Sequence, residues 1–231
     1  MSQPETPKRI TLFCGHYGSG KSTVAIAYAA LQKRRSPIGR TVLADLDVVN
    51  PYFRSGDCRE LLARLGIGLI VSDYASTNVD LPAMPESAYS ITGDRSLRAV
   101  IDVGGDDRGA LALGRYAPAI LEENDYEMLA VINRFRPLTG TPDDTVAVLR
   151  EIESACGIPF TGIVNCSNLG RETTAEDLTG SFPYAGEVSR MMGIPVRFCA
   201  ALPLVAKELP PCVPVLELEH FISHGGIVNG G

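Results

Sequence analysis

Residues 15–22 read Gly-His-Tyr-Gly-Ser-Gly-Lys-Ser and fit the pattern Gly-x-x-x-x-Gly-Lys-[Ser/Thr]. Glycines in such a loop let successive backbone N–H groups turn inward around an anion. Lys21 could reach the outer phosphates of a nucleotide, and the Ser22 hydroxyl could ligate its Mg²⁺. The chemistry requires a strand before the loop and a helix after it, so that the positive helix end faces the anion. Both are present. Residues 9–14 (RITLFC) have strand composition, and 22–35 are Ala-rich with apolar residues at 24, 27 and 31. The candidate phosphate-binding set is Gly15, His16, Tyr17, Gly18, Ser19, Gly20, Lys21, Ser22 and Thr23.

A phosphate loop needs carboxylates for its metal. Asp45 and Asp47 follow the apolar run at 41–44, and Asp102 closes the run Ala99-Val100-Ile101. Each stands where a strand should end, which is where such sheets bind ligands. Lys21, Asp45 and Asp102 form the candidate catalytic set; Ser22, Asp45, Asp47 and Asp102 form the candidate metal set. Gly104 and Gly105 would let the backbone approach a terminal phosphate and move when it leaves. Asp106 and Asp107 read as a helix N-cap pair.

The elements that must position these groups alternate along the chain. Strands are expected at 9–14, 41–45, 67–71, 98–103, 127–133, 161–165 and 194–199. Helices are expected at 22–35, 57–65, 107–121 with a disturbance at Pro118, and 142–156, the last with Thr141 as N-cap and Gly157 as its stop. Residues 72–96 are the least regular and read as a loop or small insertion near the site. Strand-then-helix repetition implies an α/β three-layer sandwich, a mostly parallel sheet flanked by helices. The 231 residues suit one domain, with 1–8 as a frayed tail.

Composition narrows the function classes. With 21 Lys and Arg against 27 Asp and Glu, the net charge is −6, which argues against a general nucleic-acid binder. The one dense basic run, Lys33-Arg34-Arg35, falls at a helix end, where cations suit the dipole. No signal peptide and no stretch of 18 apolar residues is found, so a cytoplasmic location and no membrane span are expected. The six cysteines (14, 58, 156, 166, 199, 212) form no Cys-x-x-Cys pair and read as reduced core residues. His220 and His224 would share a helical face, but in no recognised metal-ligand pattern. Pro51-Tyr52-Phe53 reads as packing or as a partner surface. Arg134-Phe135-Arg136 reads as a pocket wall, an acidic-ligand site or a surface loop.

Together, the phosphate loop, the Asp-x-Asp at 45–47 and the strand-end Asp102 with its glycines resemble the SIMIBI class of P-loop ATPases. Within that class the chain resembles the MinD/ParA/CobQ/CobB-type nucleotide-binding domain over roughly residues 8–205. DLDVVNPYFRS (45–55) and IDVGGDD (101–107) are similar to an uncharacterised bacterial branch. The resemblance implies a P-loop NTPase fold, ATP and Mg²⁺ as ligands, hydrolysis, and a nucleotide-dependent homodimer serving an unknown protein partner. Asp45 would lie in switch I and Asp102 in switch II. Asn165 would read the adenine edge, with Asn133 as a rival, and Leu202 and Pro203 would cover the base.

One departure concerns the lysine that the MinD/ParA branch carries after the first loop glycine. Here that residue is His16, a weak substitute for an ammonium at neutral pH, and Arg54 is another candidate cation. Cofactor or metal-centre assembly is the expected process. Three alternatives stand beside it: a small-molecule kinase resembling adenylylsulfate kinases, a nucleotide-gated binding protein with little turnover, and an amide-forming or carboxylating synthase. No Asn-Lys-x-Asp guanine motif is found, which favours ATP over GTP.

Overall fold

The structure is a computed structural model that describes residues 7–46, 56–71, 86–105 and 107–218, with the side chains of 56–58, 86–89, 107, 108 and 112 outside the description. Eight strands join one sheet: β1 (Ile10–Cys14), β2 (Arg40–Leu46), β3 (Ile67–Val71), β4 (Leu97–Val103), β5 (Tyr126–Ile132), β6 (Gly162–Asn165), β7 (Val196–Ala201) and β8 (Val215–Glu217). Their order is β3-β2-β4-β1-β5-β6-β7-β8, and every pairing is parallel. The carboxyl ends therefore share one edge. Nine helices flank the sheet among the described residues: α1 (Lys21–Arg35), α2 (Gly56–Arg64), α3 (Glu86–Gly93), α4 (Asp107–Gly114), α5 (Ala117–Glu123), α6 (Pro142–Cys156), α7 (Ala175–Thr179), α8 (Phe182–Met192) and α9 (Pro203–Glu208).

Strand alternation sorts side chains onto two faces. Ile10, Leu12, Cys14, Ala99, Ile101, Val103, Met128, Ala130 and Ile132 pack on one face with residues of α4, α5, α6 and α8. Phe13, Leu43, Val100, Leu129 and Val131 pack on the other with α1. The strands read as near-continuous apolar runs because both faces are covered. Alternation also fixes the polar positions. Asp45, two residues after Leu43, and Asp102, two after Val100, belong to the α1 face.

The sequence-based boundaries hold for most elements, and Thr141 Oγ1 accepts from Asp144 N at 3.2 Å at the start of α6. Three expectations need correction. Within the irregular stretch 72–96, residues 86–93 form α3. The single helix expected at 107–121 is two, because the chain breaks at Arg115-Tyr116 and Pro118 lies in the first turn of α5, where its missing N–H costs nothing. The strand expected to end at Cys199 runs to Ala201 and is not the last, since β8 follows it.

At the sheet's opposite, amino-terminal edge, Arg9 binds the Glu123 carboxylate through both Nε and Nη2. Arg9 also donates to Leu97 O at 2.9 Å. This hydrogen bonding holds the Glu123 carboxyl below its usual range. Glu123→Ala would strand the Arg9 charge inside and is expected to cost about 3 kcal/mol at neutral pH. A depressed carboxyl contributes stability above its unfolded pKa and loses it as pH falls through the folded value. Urea melts should therefore show the gap between wild type and variant closing below about pH 4.

Candidate phosphate-binding site

The loop between β1 and α1 is shaped by three glycines with positive φ: Gly15 at 148°, Gly18 at 76° and Gly20 at 97°. At Gly15 no other residue fits, because a Cβ would lie 2.3 Å from Val131 O on β5. Ser19 N donates to His16 O at 3.2 Å and closes the loop. Ser19 is buried, while His16 is half-buried and Tyr17 and Gly18 are exposed at the mouth. Lys21 opens α1, is buried, and directs Nζ across the loop to His16 O at 3.2 Å. Ser22 and Thr23 follow on the first helical turn, half-buried.

Asp45 and Asp102 are direct neighbours across the β2–β4 pairing. They are 2% and 0% exposed. The Ser22 hydroxyl donates to Asp102 Oδ2 at 2.5 Å, the short distance of a charge-assisted bond. Two buried carboxylates side by side repel, so the arrangement calls for a cation. The donor set is a hydroxyl and two carboxylates, all hard oxygen, and it suits Mg²⁺ held with several of its waters. Because Ser22 gives its proton to Asp102, its oxygen lone pairs remain available to a metal. Among the described residues no group of three His, Cys, Asp or Glu forms a protein-only cage. Asp47, Arg54, Pro51-Tyr52-Phe53, Asp106, His220 and His224 lie outside the described residues.

After β4 the chain passes directly over the loop. A Cβ on Gly105 would meet Tyr17 N at 2.8 Å, Gly15 O at 2.9 Å and Lys21 Nζ at 2.9 Å. The backbone approach expected for Gly104-Gly105 is made to the phosphate loop itself.

The loop after β6 borders the site on its other side. A Cβ on Gly20 would come within 2.8 Å of Cys166 Sγ. Burial pushes the Cys166 thiol up to about 12, and burial also pushes the Cys14 thiol well above its ordinary value. Both are neutral thiols at pH 7 and offer no thiolate. Asn165 does not face outward in this conformation. It is fully buried, its Nδ2 donates to Ser181 Oγ at 2.8 Å, and its Oδ1 accepts from Ser167 N at 3.2 Å. Asn133 is equally buried, and its Oδ1 accepts from Phe135 N and Asn168 N. In this conformation both amides are engaged by protein groups. Leu202 caps α9 and Pro203 begins it, both half-buried at the carboxyl end of β7.

Arg136 lies in the loop after β5. Its Nε donates to Gly18 O at 2.8 Å, so the side chain lies on the rim of the phosphate loop. No sequence signal could separate it from Arg134, whose Nη1 turns away to Gly180 O at 2.6 Å.

No family model matches the chain, and no curated protein matches it significantly in sequence. Solved structures do. The cell division protein FtsY of Thermotoga maritima superposes with a TM-score of 0.56 at 20% identity, over 86% of this chain and 63% of that one. FtsY of Mycoplasma mycoides gives 0.55 at 16% identity, over 86% and 62%. The signal recognition particle 54 kDa protein of Aeropyrum pernix K1, solved in complex with GDP, gives 0.52 at 16%, over 85% and 42%. The chain therefore spans less than two thirds of the length of these proteins. At such identities the likeness concerns fold alone, and the fold is the parallel α/β sandwich of the P-loop NTPases.

Proposed function

We propose that this protein is a single nucleotide-binding unit that binds Mg-ATP in the 15–22 loop and hydrolyses it slowly as a nucleotide-dependent switch. One observation carries the proposal: Ser22 bonded to Asp102 at 2.5 Å, with Asp45 beside it in register and Gly105 packed on the loop. Lys21 would leave His16 O for the outer phosphates. Ser22 would hold Mg²⁺, with Asp45 and Asp102 behind it, and the ion would neutralise charge developing on the transferred phosphoryl group. Asp45 would orient the attacking water. The resting contact of the 104–105 segment with the loop supplies an element that a terminal phosphate would displace.

Adenine is favoured because guanine recognition calls for an acceptor that pairs with its ring N–H and amino group. The 165–168 loop offers no carboxylate for this. ATP binding would draw two copies together and present the dimer to a protein partner, in keeping with cofactor or metal-centre assembly. Five described cysteines are free thiols, which suits work in the reducing cytoplasm. No helix among the described residues is long and apolar enough to cross a membrane.

The test pairs fluorescent-nucleotide titration with phosphate release and light-scattering mass, with Lys21→Ala as control. Expected results are ATP affinity well above GTP affinity, slow phosphate release without an acceptor, and a doubled mass with non-hydrolysed ATP. Lys21→Ala should weaken binding at least tenfold, since a buried charge-assisted contact is lost. A GTP preference would overturn the adenine assignment. Binding without release unless a small hydroxyl acceptor is added would replace the switch with a kinase.

A further inference from the structure

Lys21 is the only lysine or arginine within the 15–22 motif, and it is buried inside the loop. A nucleoside triphosphate bound with Mg²⁺ still carries net negative charge, so a second fixed cation near the loop would have a role. Arg136 has the geometry for one. Its Nε bond to Gly18 O uses one of the five guanidinium N–H donors. Its Nη1 and Nη2 groups make no other hydrogen bond or ion pair among the described residues. The guanidinium carbon lies 3.9 Å from where a Gly18 Cβ would be, at the exposed rim of the anion loop.

The turn carrying Arg136 is fixed from below. Asn133 O, at the end of β5, accepts from Arg136 N at 3.2 Å and from Thr139 Oγ1 at 2.9 Å. Thr139 N donates back to Arg136 O at 3.1 Å. Asn133 Oδ1 accepts from Phe135 N at 3.0 Å, and Ser167 Oγ accepts from Arg134 N at 3.1 Å. Arg134 is meanwhile spent on Gly180 O and on the Phe135 ring, 5.6 Å from its centroid. Of the two arginines on this turn, one is a structural clasp and the other holds a charge over the phosphate loop on a locked base. Such preorganisation reduces the side-chain ordering that binding must impose.

We infer that Arg136 binds the polyphosphate of the nucleotide in cis, through Nη1 and Nη2, while its Nε bond to Gly18 O aims the guanidinium. This rests on the nucleotide reading above. The ligand class is a nucleoside di- or triphosphate, with stronger dependence on Arg136 as negative charge is added. A purely structural strut would need the Nε bond alone and would not care about ligand charge.

The experiment measures affinity for Mg-ATP, Mg-ADP and AMP at several salt concentrations in wild type, Arg136→Gln and Arg136→Lys. For Arg136→Gln the expected result is a loss of about tenfold for Mg-ATP, less for Mg-ADP and least for AMP, as removal of one charge-assisted contact implies. Its salt dependence should be shallower than that of wild type, because one screened charge is gone. Arg136→Lys should keep the wild-type salt dependence while recovering part of the affinity, since it restores charge without the fork. Thermal melts without nucleotide check the fold. If Arg136→Gln fails to fold, the affinities of Arg136→Lys decide: a loss larger for Mg-ATP than for AMP supports the inference, and no loss or an equal loss for all three nucleotides overturns it. Affinity within twofold of wild type overturns the inference, as does an equal loss for all three nucleotides with unchanged salt dependence. If Lys21→Ala abolishes binding while Arg136→Gln binds normally, only this inference falls. If wild type binds no nucleotide, the nucleotide reading falls with it.

Discussion

Asp102→Asn is expected to slow phosphate release by about two orders of magnitude while leaving the protein at least as stable as wild type. The two effects have one cause. Asp102 is fully buried, pairs in register with the buried Asp45, and accepts the Ser22 hydroxyl proton at 2.5 Å. Asparagine keeps the shape and can still accept from Ser22, so packing survives. It removes one of two adjacent buried charges, which relieves repulsion in the nucleotide-free protein. It also removes the charge that sets the basicity of the Ser22 oxygen and attracts the metal, so Mg²⁺ should bind about 10- to 100-fold more weakly. Phosphate release titrated with Mg²⁺, beside thermal melts in the metal's absence, reads both. A structural aspartate would give the opposite pattern, with a lower melting temperature and little change in rate. Turnover within threefold of wild type would remove Asp102 from the metal set.

The sequence made this pair legible because two independent periodicities point to it. The Gly-x-x-x-x-Gly-Lys-Ser spacing locates the anion loop, and apolar runs ending in Asp locate the sheet edge that faces it. Alternation along β2 and β4 then places Asp45 and Asp102 on the face that α1 covers. The core strands were legible for the same reason, since strands covered on both faces are continuous apolar runs. What was not legible depends on contacts between distant segments. Asn165 ends a strand, as a base-reading residue would, but its amide is closed off by Ser181, sixteen residues later at the start of α8. The helices at 175–192 carry only local signals: Thr174 with Asp177 forms a capping box, and Gly193 stops α8 in a left-handed conformation. Arg134 and Arg136 are indistinguishable as a sequence motif, and only the turn locked by Asn133 and Thr139 sends them to different carbonyls. Long side chains on loops are set by tertiary partners that local pattern does not encode.

Gly105→Ala carries the second large expected effect, and it tests the switch rather than the metal. The added methyl would sit 2.8 Å from Tyr17 N and 2.9 Å from Gly15 O. These are backbone atoms of the phosphate loop, which cannot give way as the far end of a flexible side chain would, so the 104–105 segment is expected to yield. Lifting it should destabilise the nucleotide-free protein by about 1–3 kcal/mol, the usual cost of overpacking. It should also uncouple the segment from whatever occupies the loop. The shift would pass into α4, because Gly109 on its first turn packs against Gly104, and α4 in turn shares its apolar face with α6. In wild type, displacing a packed segment is a cost that only a ligand with a terminal phosphate would meet with new contacts. Once the methyl has displaced it, that distinction disappears. The variant is therefore expected to bind Mg-ADP as well as wild type does, to lose about tenfold of any nucleotide-dependent dimerisation, and to release phosphate about 10- to 100-fold more slowly. Paired ADP and ATP titrations with scattering mass measure all three. Loss of ADP binding to the same degree would mean that the methyl has deformed the phosphate loop. Wild-type behaviour in every assay would mean that 104–105 already stands off the loop in solution, and the switch would then lack its mechanical link.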